Sequence, residues 1–289
     1  MKRFIRFCDK IKYLGLLGLP GLFFEHKLFN FLWLFWLFSF VGIFYNFPVF
    51  LQLLKQLWGM LFVPLRYGSH IPDANNYRCQ VKYSLPFKDS WVVVNGGMDR
   101  KSSHSWDIPT QRYACDFLML DESGKSCVGD GKKAADYYCY GKEVLAPADG
   151  EVIEAVSGCP DSLILGNGQV DCSAHDIRGN HILIRHAERE YSILVHLQPG
   201  SVGVKAGDTV KCGQIIARCG NSGNSSEPHL HFQLQDGTSF FSSAGLPVEF
   251  ENISSAPMPN YSAYDPRPLP SVIGLPGKYT VRGQIVVNM

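Results

Sequence analysis

Two patterns of apolar residues divide the chain. Over residues 28–54 there is no charged side chain, and Phe, Leu and Trp dominate. Because an α-helix rises ~1.5 Å per residue, about 20 residues cross a hydrocarbon core of ~30 Å. We therefore predict a transmembrane helix over 28–48, with Pro48 at a break or an interfacial kink. The length and aromatic density argue against a buried core helix, and the apolar stretch is too long for a secretory signal peptide.

The charges around this segment predict its orientation. Six basic residues precede the span and two follow it before the next region: Lys2, Arg3, Arg6, Lys10, Lys12 and Lys27, then Lys55 and Arg66. Lys and Arg favour the cytoplasmic side of a membrane, so 1–27 is predicted to be a basic cytoplasmic segment and the remainder to lie outside. The apolar stretches 13–24 and 49–64 could be interfacial or re-entrant, and a second full span would reverse this topology.

After Arg66 the pattern changes to short runs of Val, Ile, Leu and Tyr between clusters of Gly, Pro, Asn, Asp and Ser. These runs predict nine strands, at 90–94, 115–120, 143–146, 151–156, 181–185, 191–196, 208–211, 214–217 and 230–235. Frequent turn signals and the lack of a long helical period favour a sandwich or open barrel over alternating β/α units. We therefore predict a mainly β fold, an antiparallel two-layer sheet or open barrel-like core.

Composition and charge exclude two other classes of protein. Lys plus Arg total 27 and Asp plus Glu total 26, so no global basic field exists and nucleic-acid binding is not indicated. Apolar residues make up 46% of the chain, which is too many for a mainly disordered protein.

Cysteines provide a separate indication of the compartment. Eight of the nine follow the apolar segment: Cys79, Cys115, Cys127, Cys139, Cys159, Cys172, Cys212 and Cys219. An even, dense set is typical of disulfides in an oxidising compartment, and two pairs, Cys127 with Cys139 and Cys159 with Cys172, each bracket a loop-like stretch. Structural zinc is the alternative, but no C-x-x-C pair occurs.

The segment His229-Leu230-His231-Phe232-Gln233-Leu234 carries candidate chemistry. Residues two apart in a strand share a face, so both histidines point one way while Leu230, Phe232 and Leu234 line the opposite, buried face. Two imidazoles on one face suit two metal ligands, or one ligand and one acid–base group. The alternative is a solvated edge with two incidental histidines.

Several motifs occur in a specific order around these histidines. The chain reads His196-Leu197, then V-x-V-K-x-G-D-x-V-K-x-G-Q from residue 202, then G-N-S-G-N-S-S-E-P-H-L-H-F from residue 220, with A-P-A-D-G-E-V upstream at 146–152. Over about 114–234 this order resembles the lysostaphin/LytM-type zinc metallopeptidases, which cut bacterial cell-wall peptides. The resemblance implies an antiparallel β groove that holds one zinc ion.

The resemblance also implies a set of zinc ligands. Members of the family use a His, an Asp and the second His of H-x-H, and the last two correspond to Asp116 and His231. Many members have the first His four residues before the Asp, where this chain has Arg112, which stays protonated and cannot ligate a metal. A smaller group of relatives carries that His farther upstream, so we assign His104.

Three protein ligands leave zinc a fourth position for water, which is the arrangement of a catalytic site. Zinc lowers the pKa of that water towards ~7 and polarises the scissile carbonyl. By analogy with the family, His196 and His229 are catalytic residues that orient or deprotonate the water, stabilise the oxyanion and help protonate the leaving amine. His181 and His186 are the fallback candidates for the first ligand and are expected to be structural.

The sequence thus predicts a single-pass protein of the cell (inner) membrane, with a juxtamembrane linker over 49–88, an extracytoplasmic zinc metallopeptidase-like domain over 89–251 and a C-terminal extension over 252–289. Its predicted partners are membrane lipid and the peptidoglycan peptides whose bonds it hydrolyses. The alternative is a non-catalytic LytM-like module that binds wall material or activates another hydrolase, an option that Arg112 keeps open. A lipoyl- or biotinyl-type module is a remoter alternative, because no Lys stands at the corresponding turn.

Overall fold

The structure, a computed structural model, describes residues 2–166, 168–270 and 278–289. The chain divides into two compact units, Met1–Leu54 and Lys55–Met289. Among the residues that the structure describes, the first unit is helical and the second contains every strand.

The first unit consists of short helical segments. They are α1 (Lys2–Ile11), a 3-10 stretch (Lys12–Leu22), α2 (Lys27–Leu32), a second 3-10 stretch (Trp33–Leu37), α3 (Phe38–Tyr45) and the beginning of α4 (Phe47–Tyr67). Gly15 and Gly18 are buried where the first 3-10 stretch meets the indoles of Trp36 and Trp33. A β-carbon on Gly15 would lie 2.6 Å from the Trp36 ring, so this packing requires a residue without a side chain.

Two helical stretches are long and apolar enough to cross a membrane, Lys27–Tyr45 and Phe47–His70. No residue of the first is buried, and it matches the predicted span over 28–48 except at its end. The chain leaves helical geometry at Asn46, and Pro48 stands in the first turn of α4, where its missing N–H costs no hydrogen bond. The first stretch has the length and composition of a membrane span. A signal sequence near the N-terminus has the same two properties.

The second unit is dominated by one large antiparallel sheet. Its strands and those of a small second sheet are β1 (Trp91–Asn95), β2 (Cys115–Leu118), β3 (Glu143–Leu145), β4 (Gly150–Val156), β5 (Asn180–Ala187), β6 (Glu190–Leu197), β7 (Thr209–Val210), β8 (Ile215–Arg218), β9 (Leu230–Gln235), β10 (Gly245–Leu246), β11 (Ile253–Pro257) and β12 (Gln284–Asn288). The large sheet has the order β11-β12-β1-β2-β9-β6-β5-β4-β7, with β10 paired to β9, and β3 pairs with β8 in the second sheet.

The predicted mainly β, antiparallel fold is confirmed. All nine predicted strands form, and one hydrophobic core includes side chains of both sheets, among them Phe117 and Phe232 of the large sheet and Val144 and Ile216 of the small one. Three further strands, β10 to β12, complete the large sheet. Because β12 pairs with β1, part of 252–289 is built into the same sheet as the candidate site.

The prediction of disulfides is wrong: all nine cysteines, every one within the described residues, are free thiols. The Cys127 to Cys139 loop shows the physical reason. Backbone hydrogen bonds from Val128 N to Asp136 O and from Tyr138 N to Ser126 O already close this loop. The Cys139 thiol instead donates to the carbonyl of Pro228 at 3.1 Å. The cysteines therefore no longer support export to an oxidising compartment. The excess of Lys and Arg before the apolar segment is the remaining indication from the sequence.

Candidate active site

The register of three neighbouring strands brings the central side chains together. Asp116 on β2 is the direct cross-strand partner of His231 on β9, and His231 in turn faces Val195 on β6. The His231 Nδ1 atom lies 2.8 Å from the Asp116 Oδ1 atom, and both residues are buried. Alternation along β9 places Leu230, at 0% exposure, in the core on the opposite face, as the sequence pattern predicts.

The first histidine of the H-x-H segment approaches the same carboxylate. His229 lies just before β9, and its Nε2 atom is 3.9 Å from Asp116 Oδ1. Its Nδ1 atom lies 2.8 Å from the backbone carbonyl of Glu227. Because a carbonyl only accepts, Nδ1 carries a proton, and Nε2 is the ring atom that faces Asp116.

His196 completes the group from the end of β6. Its backbone is in the left-handed region, with φ at 64°, and its Nδ1 atom lies 2.7 Å from the carbonyl of Ser222. Burial, helped by the neighbouring imidazoles of His229 and His231, lowers the pKa of His196 well below its usual value. His196 is therefore neutral, with Nδ1–H donated to Ser222 and Nε2 free as an acceptor. The ring centroids of His196 and His229 are 4.7 Å apart.

His104 comes from the loop that follows β1. Its backbone N–H donates to Oδ1 of Asn95 at 2.8 Å, and Asn95 is itself the cross-strand partner of Asp116. The imidazole Nδ1 lies 3.9 Å from Asp116 Oδ2, and the side chain is 56% exposed. The side chain of Arg112 is held elsewhere, because its Nε atom donates to the carbonyl of Trp106 at 3.1 Å and its guanidinium lies over the Trp106 ring. Arg112 thus stabilises the turn that carries His104 through its contacts with Trp106.

The five predicted site residues all line one cleft: His104, Asp116, His196, His229 and His231. Apolar side chains of Val170, Ile177 and Phe240 form part of its wall. The fallback candidates lie elsewhere. His181 is fully buried beside Glu154, and His186 contacts the carbonyl of Asp149 and the hydroxyl of Ser192.

A row of buried amides behind His231 was not predicted from the sequence. Gln235 Nε2 donates to the carbonyl of Gly237, Gln233 Nε2 donates to Gln235 Oε1, and Gln233 Oε1 lies 3.1 Å from His231 Nε2. The backbone carbonyl fixes the direction of the whole row, so His231 Nε2 must carry the ring proton. The i, i+2 spacing of residues 231, 233 and 235 on one strand face was the available signal.

This tautomer tests whether the residues suit a metal. With its proton on Nε2, His231 points a lone pair from Nδ1 at the Asp116 carboxylate, and two acceptors 2.8 Å apart need a cation between them. When no metal is present, a proton between the two atoms takes this role. Burial opposes the charge on both groups, yet their mutual attraction outweighs it, so the pKa of Asp116 is lowered and the pKa of His231 is raised.

The donor types, a carboxylate and imidazoles, are those that zinc prefers. Over residues 2–166, 168–270 and 278–289, no three His, Cys, Asp or Glu side chains are already grouped around a common metal position. The cleft thus brings together donors of a suitable type, but in the described residues they are not grouped around one metal position, and His104 is the loosest of them.

Parts of the chain that include three of the cleft histidines are similar to known proteins. Residues 131–242 match the model of Peptidase family M23. An uncharacterised metalloprotease of Haemophilus influenzae is 33% identical over 94 residues, which are 32% of this chain and 16% of that protein. The peptidoglycan DD-endopeptidase ShyC of Vibrio cholerae is 38% identical over 70 residues, 24% of this chain and 16% of the relative. The chain thus spans about a sixth of the length of these relatives.

Among solved structures, the catalytic domain of the antimicrobial peptidase lysostaphin from Staphylococcus simulans aligns with a TM-score of 0.30 and 26% identity, over 59% of this chain and 90% of that domain. The family match includes His196, His229 and His231. Asp116 and His104 precede the matched segment.

Proposed function

We propose, from the match of residues 131–242 to the model of Peptidase family M23, that the chain is a membrane-anchored zinc metalloendopeptidase that hydrolyses peptide bonds in bacterial peptidoglycan. The main support is the convergence of Asp116, His231, His229 and His196 in one cleft. The substrate class follows from relatives described as peptidoglycan DD-endopeptidases.

Asp116, His231 and His104 are the residues that would hold the zinc ion. When bound, zinc polarises the scissile carbonyl and lowers the pKa of a coordinated water. His196 and His229 each keep a proton on Nδ1 through a backbone carbonyl, which leaves both Nε2 atoms as bases. They can take a proton from the attacking water and return one to the departing amine, and in their protonated form they stabilise the developing oxyanion.

The proposed location combines two features of the first unit. The stretch Lys27–Tyr45 is long and apolar enough to span a bilayer, and most nearby Lys and Arg precede it. By the positive-inside rule the cleft then lies on the extracytoplasmic side of the cell (inner) membrane, where peptidoglycan is found. Anchoring would confine a lytic activity to wall material close to the membrane.

The alternative function is a non-catalytic module that binds wall material or activates another hydrolase. Two observations favour it, namely Arg112 at the position of the usual ligand and the exposed, 3.9 Å placement of His104. Zinc content separates the two functions, because a site without its third ligand binds the metal weakly.

We expect the purified full-length protein to bind about one zinc ion per chain, and His104→Ala to weaken zinc binding by about 10- to 100-fold or more through loss of a ligand. Metal content by mass spectrometry and cleavage of purified muropeptides measure both effects. His175→Ala is the matched control, since it removes an exposed imidazole that does not line the cleft. Zinc-free, inactive wild-type protein would favour the non-catalytic module, and full zinc retention by His104→Ala would remove His104 from the ligand set.

Gln233 gives a second test of the zinc assignment. Gln233→Leu removes the acceptor that holds the proton on His231 Nε2, so zinc affinity should fall by about 10- to 100-fold, the usual effect of losing an outer partner of a ligating histidine. Gln233→Glu retains an acceptor oxygen for His231 Nε2 but loses the donor to Gln235, so it should bind zinc more tightly than the Leu variant. Competition against a chromophoric chelator measures both affinities. Equal affinity of the Leu variant and the wild type would mean that the amide row does not position His231.

A further inference from the structure

Residues 55–67 of α4 have two faces with different surroundings. Gly59 and Val63, one turn apart, are buried within the second unit. The opposite face carries four large apolar side chains that are exposed by 48%, 61%, 65% and 82%, namely Leu57, Trp58, Leu61 and Leu65. Their 1, 4, 8 spacing places them along one stripe of the helix. Such a contiguous apolar stripe on an otherwise folded domain marks an interaction surface.

The inner face of the helix is fixed to the segment 236–244. A β-carbon on Gly59 would collide with the carbonyl of Phe241, so the helix backbone lies directly against this segment. The Lys55 ammonium group lies 6.0 Å from the centre of the Phe241 ring. Glycine at position 59 is thus a requirement of close packing rather than of helix formation, which it disfavours.

A charged cluster secures the C-terminal end of the same helix. The buried Asp236 carboxylate accepts a hydrogen bond from the Tyr67 hydroxyl and pairs with Arg189 at 2.9 Å and Arg66 at 3.4 Å. Its other oxygen accepts from the backbone N–H of Ala244 at 2.6 Å, which closes the segment. Removing the helix would leave a buried carboxylate with fewer partners, so the contact is an integral part of this unit.

The segment that α4 contacts belongs to the candidate active site. Phe240 lines the cleft, and its ring centroid is 6.2 Å from that of His231. The amide row behind His231 also ends here, at the carbonyl of Gly237. The helix therefore packs directly against one wall of the cleft.

Three observations identify what covers the apolar stripe. Helix α4 as a whole is long enough to cross a bilayer, but over 55–67 its inner face is packed against the segment 236–244, so lipid cannot surround this part of the helix as it surrounds a span. The stretch Lys27–Tyr45, which is long enough to span, ends two residues before α4 begins. Leu and Trp on one face of a helix beside a span are suited to the interfacial layer of the membrane, where Trp is enriched.

We propose that the stripe Leu57, Trp58, Leu61 and Leu65 lies in the interfacial layer of the membrane, while the inner face of α4 supports the cleft wall at 236–244. The membrane surface and the substrate cleft then share one rigid element. This extends the proposed anchoring, but it does not depend on peptide hydrolysis.

Depth-dependent quenching of Trp58 fluorescence tests the proposal. Full-length protein is reconstituted into vesicles whose lipids carry bromine either near the headgroup or near the bilayer centre. The Trp58 signal is the difference between wild type and Trp58→Phe. We expect clear quenching by the shallow bromines and at least about twofold less by the deep ones, as for a helix buried ~5–10 Å into the interface. Trp91→Phe is the control, because Trp91 is buried in the protein core and its signal should be the same in both lipids.

Two results would overturn the proposal: stronger quenching by the deep bromines, which indicates a span, and no quenching by either lipid, which indicates a protein partner or water. A double variant, Leu61→Gln with Leu65→Gln, should reduce the shallow quenching. Muropeptide cleavage is measured on the same vesicles. Shallow quenching without cleavage would contradict only the proposed function, and cleavage without quenching only this inference.

Discussion

Replacing His231 with alanine is expected to abolish zinc retention and wall-peptide cleavage together. His231 is the cross-strand partner of Asp116, and the amide row directs the lone pair of its Nδ1 atom at the carboxylate. Without the imidazole, Asp116 loses the acceptor with which it would enclose a cation. Loss of the metal removes the main stabilisation of the developing oxyanion, so cleavage should fall by at least about a thousandfold. Zinc content by mass spectrometry and muropeptide digestion followed by chromatography measure the two losses.

The matched control for this variant is His175→Ala. His175 is exposed, lies in the loop before β5 and does not line the cleft. Its replacement should leave zinc content and cleavage unchanged, which excludes a general effect of removing an imidazole. His231→Ala protein that is folded and still cleaves wall peptides at the wild-type rate would refute both the ligand assignment and the proposed zinc mechanism.

Local patterns predicted most of what positions the site. The alternation in β9 correctly separated the histidine face from the core face, because a strand with one buried side must alternate. The order of motifs from His196 to His231 predicted the family resemblance, which the match over 131–242 confirms. The strands that were missed have weak patterns: β10 is two residues long, and β11 is a strand at the sheet edge that ends in Pro257.

Features that depend on distant contacts were not predictable in the same way. The spacing of Cys127 and Cys139 resembles that of a stapled loop, but backbone hydrogen bonds already close it and the Cys139 thiol donates to Pro228. Gln233 and Gln235 are polar, and composition assigns polar residues to the surface. Both are buried because each amide satisfies the next along the row.

The apolar character of α4 shows a limit of hydropathy alone. A run of apolar residues predicts burial from water, but it does not distinguish lipid from protein as the apolar environment. In 55–67 the structure separates the two surroundings by helix face: Gly59 and Val63 are buried against protein, whereas Trp58 and Leu61 are largely exposed. The sequence interpretation left interfacial placement open for 49–64, and the faces of the helix provide the argument for it.

Replacing Asp265 with asparagine is expected to cause a large loss of stability. Asp265 Oδ2 lies 2.6 Å from Arg282, whose side chain is 2% exposed, and 2.8 Å from Arg267. Asparagine would leave the buried Arg282 guanidinium without its counterion, which typically costs about 3 to 5 kcal/mol. Arg282 also donates its backbone N–H to Gly96, in the loop between β1 and His104. We therefore expect weaker zinc retention as well as a lower free energy of unfolding.

The pH dependence of unfolding isolates the charge on Asp265 from the change in shape. Burial acts to raise the pKa of Asp265, but bonding to Arg267 outweighs it and lowers the value from 3.8 to about 2. A carboxylate with a lowered pKa in the folded state stabilises the protein above about pH 4, and that contribution is lost as the pH falls towards 2. The unfolding free energy of Asp265→Asn should therefore change less between pH 4 and pH 2 than that of the wild type, in denaturant titrations followed by Trp fluorescence.

Asp130→Asn is the control for this experiment, because Asp130 is an exposed carboxylate paired only with Lys132 in its own loop. An exposed pair of this kind contributes little to folding, so its loss should leave both stability and zinc retention at wild-type values. If Asp265→Asn behaves in the same way, the buried Arg282 must find another counterion. In that case the C-terminal strand β12 and the loop that carries His104 do not depend on the Asp265 cluster for their positions.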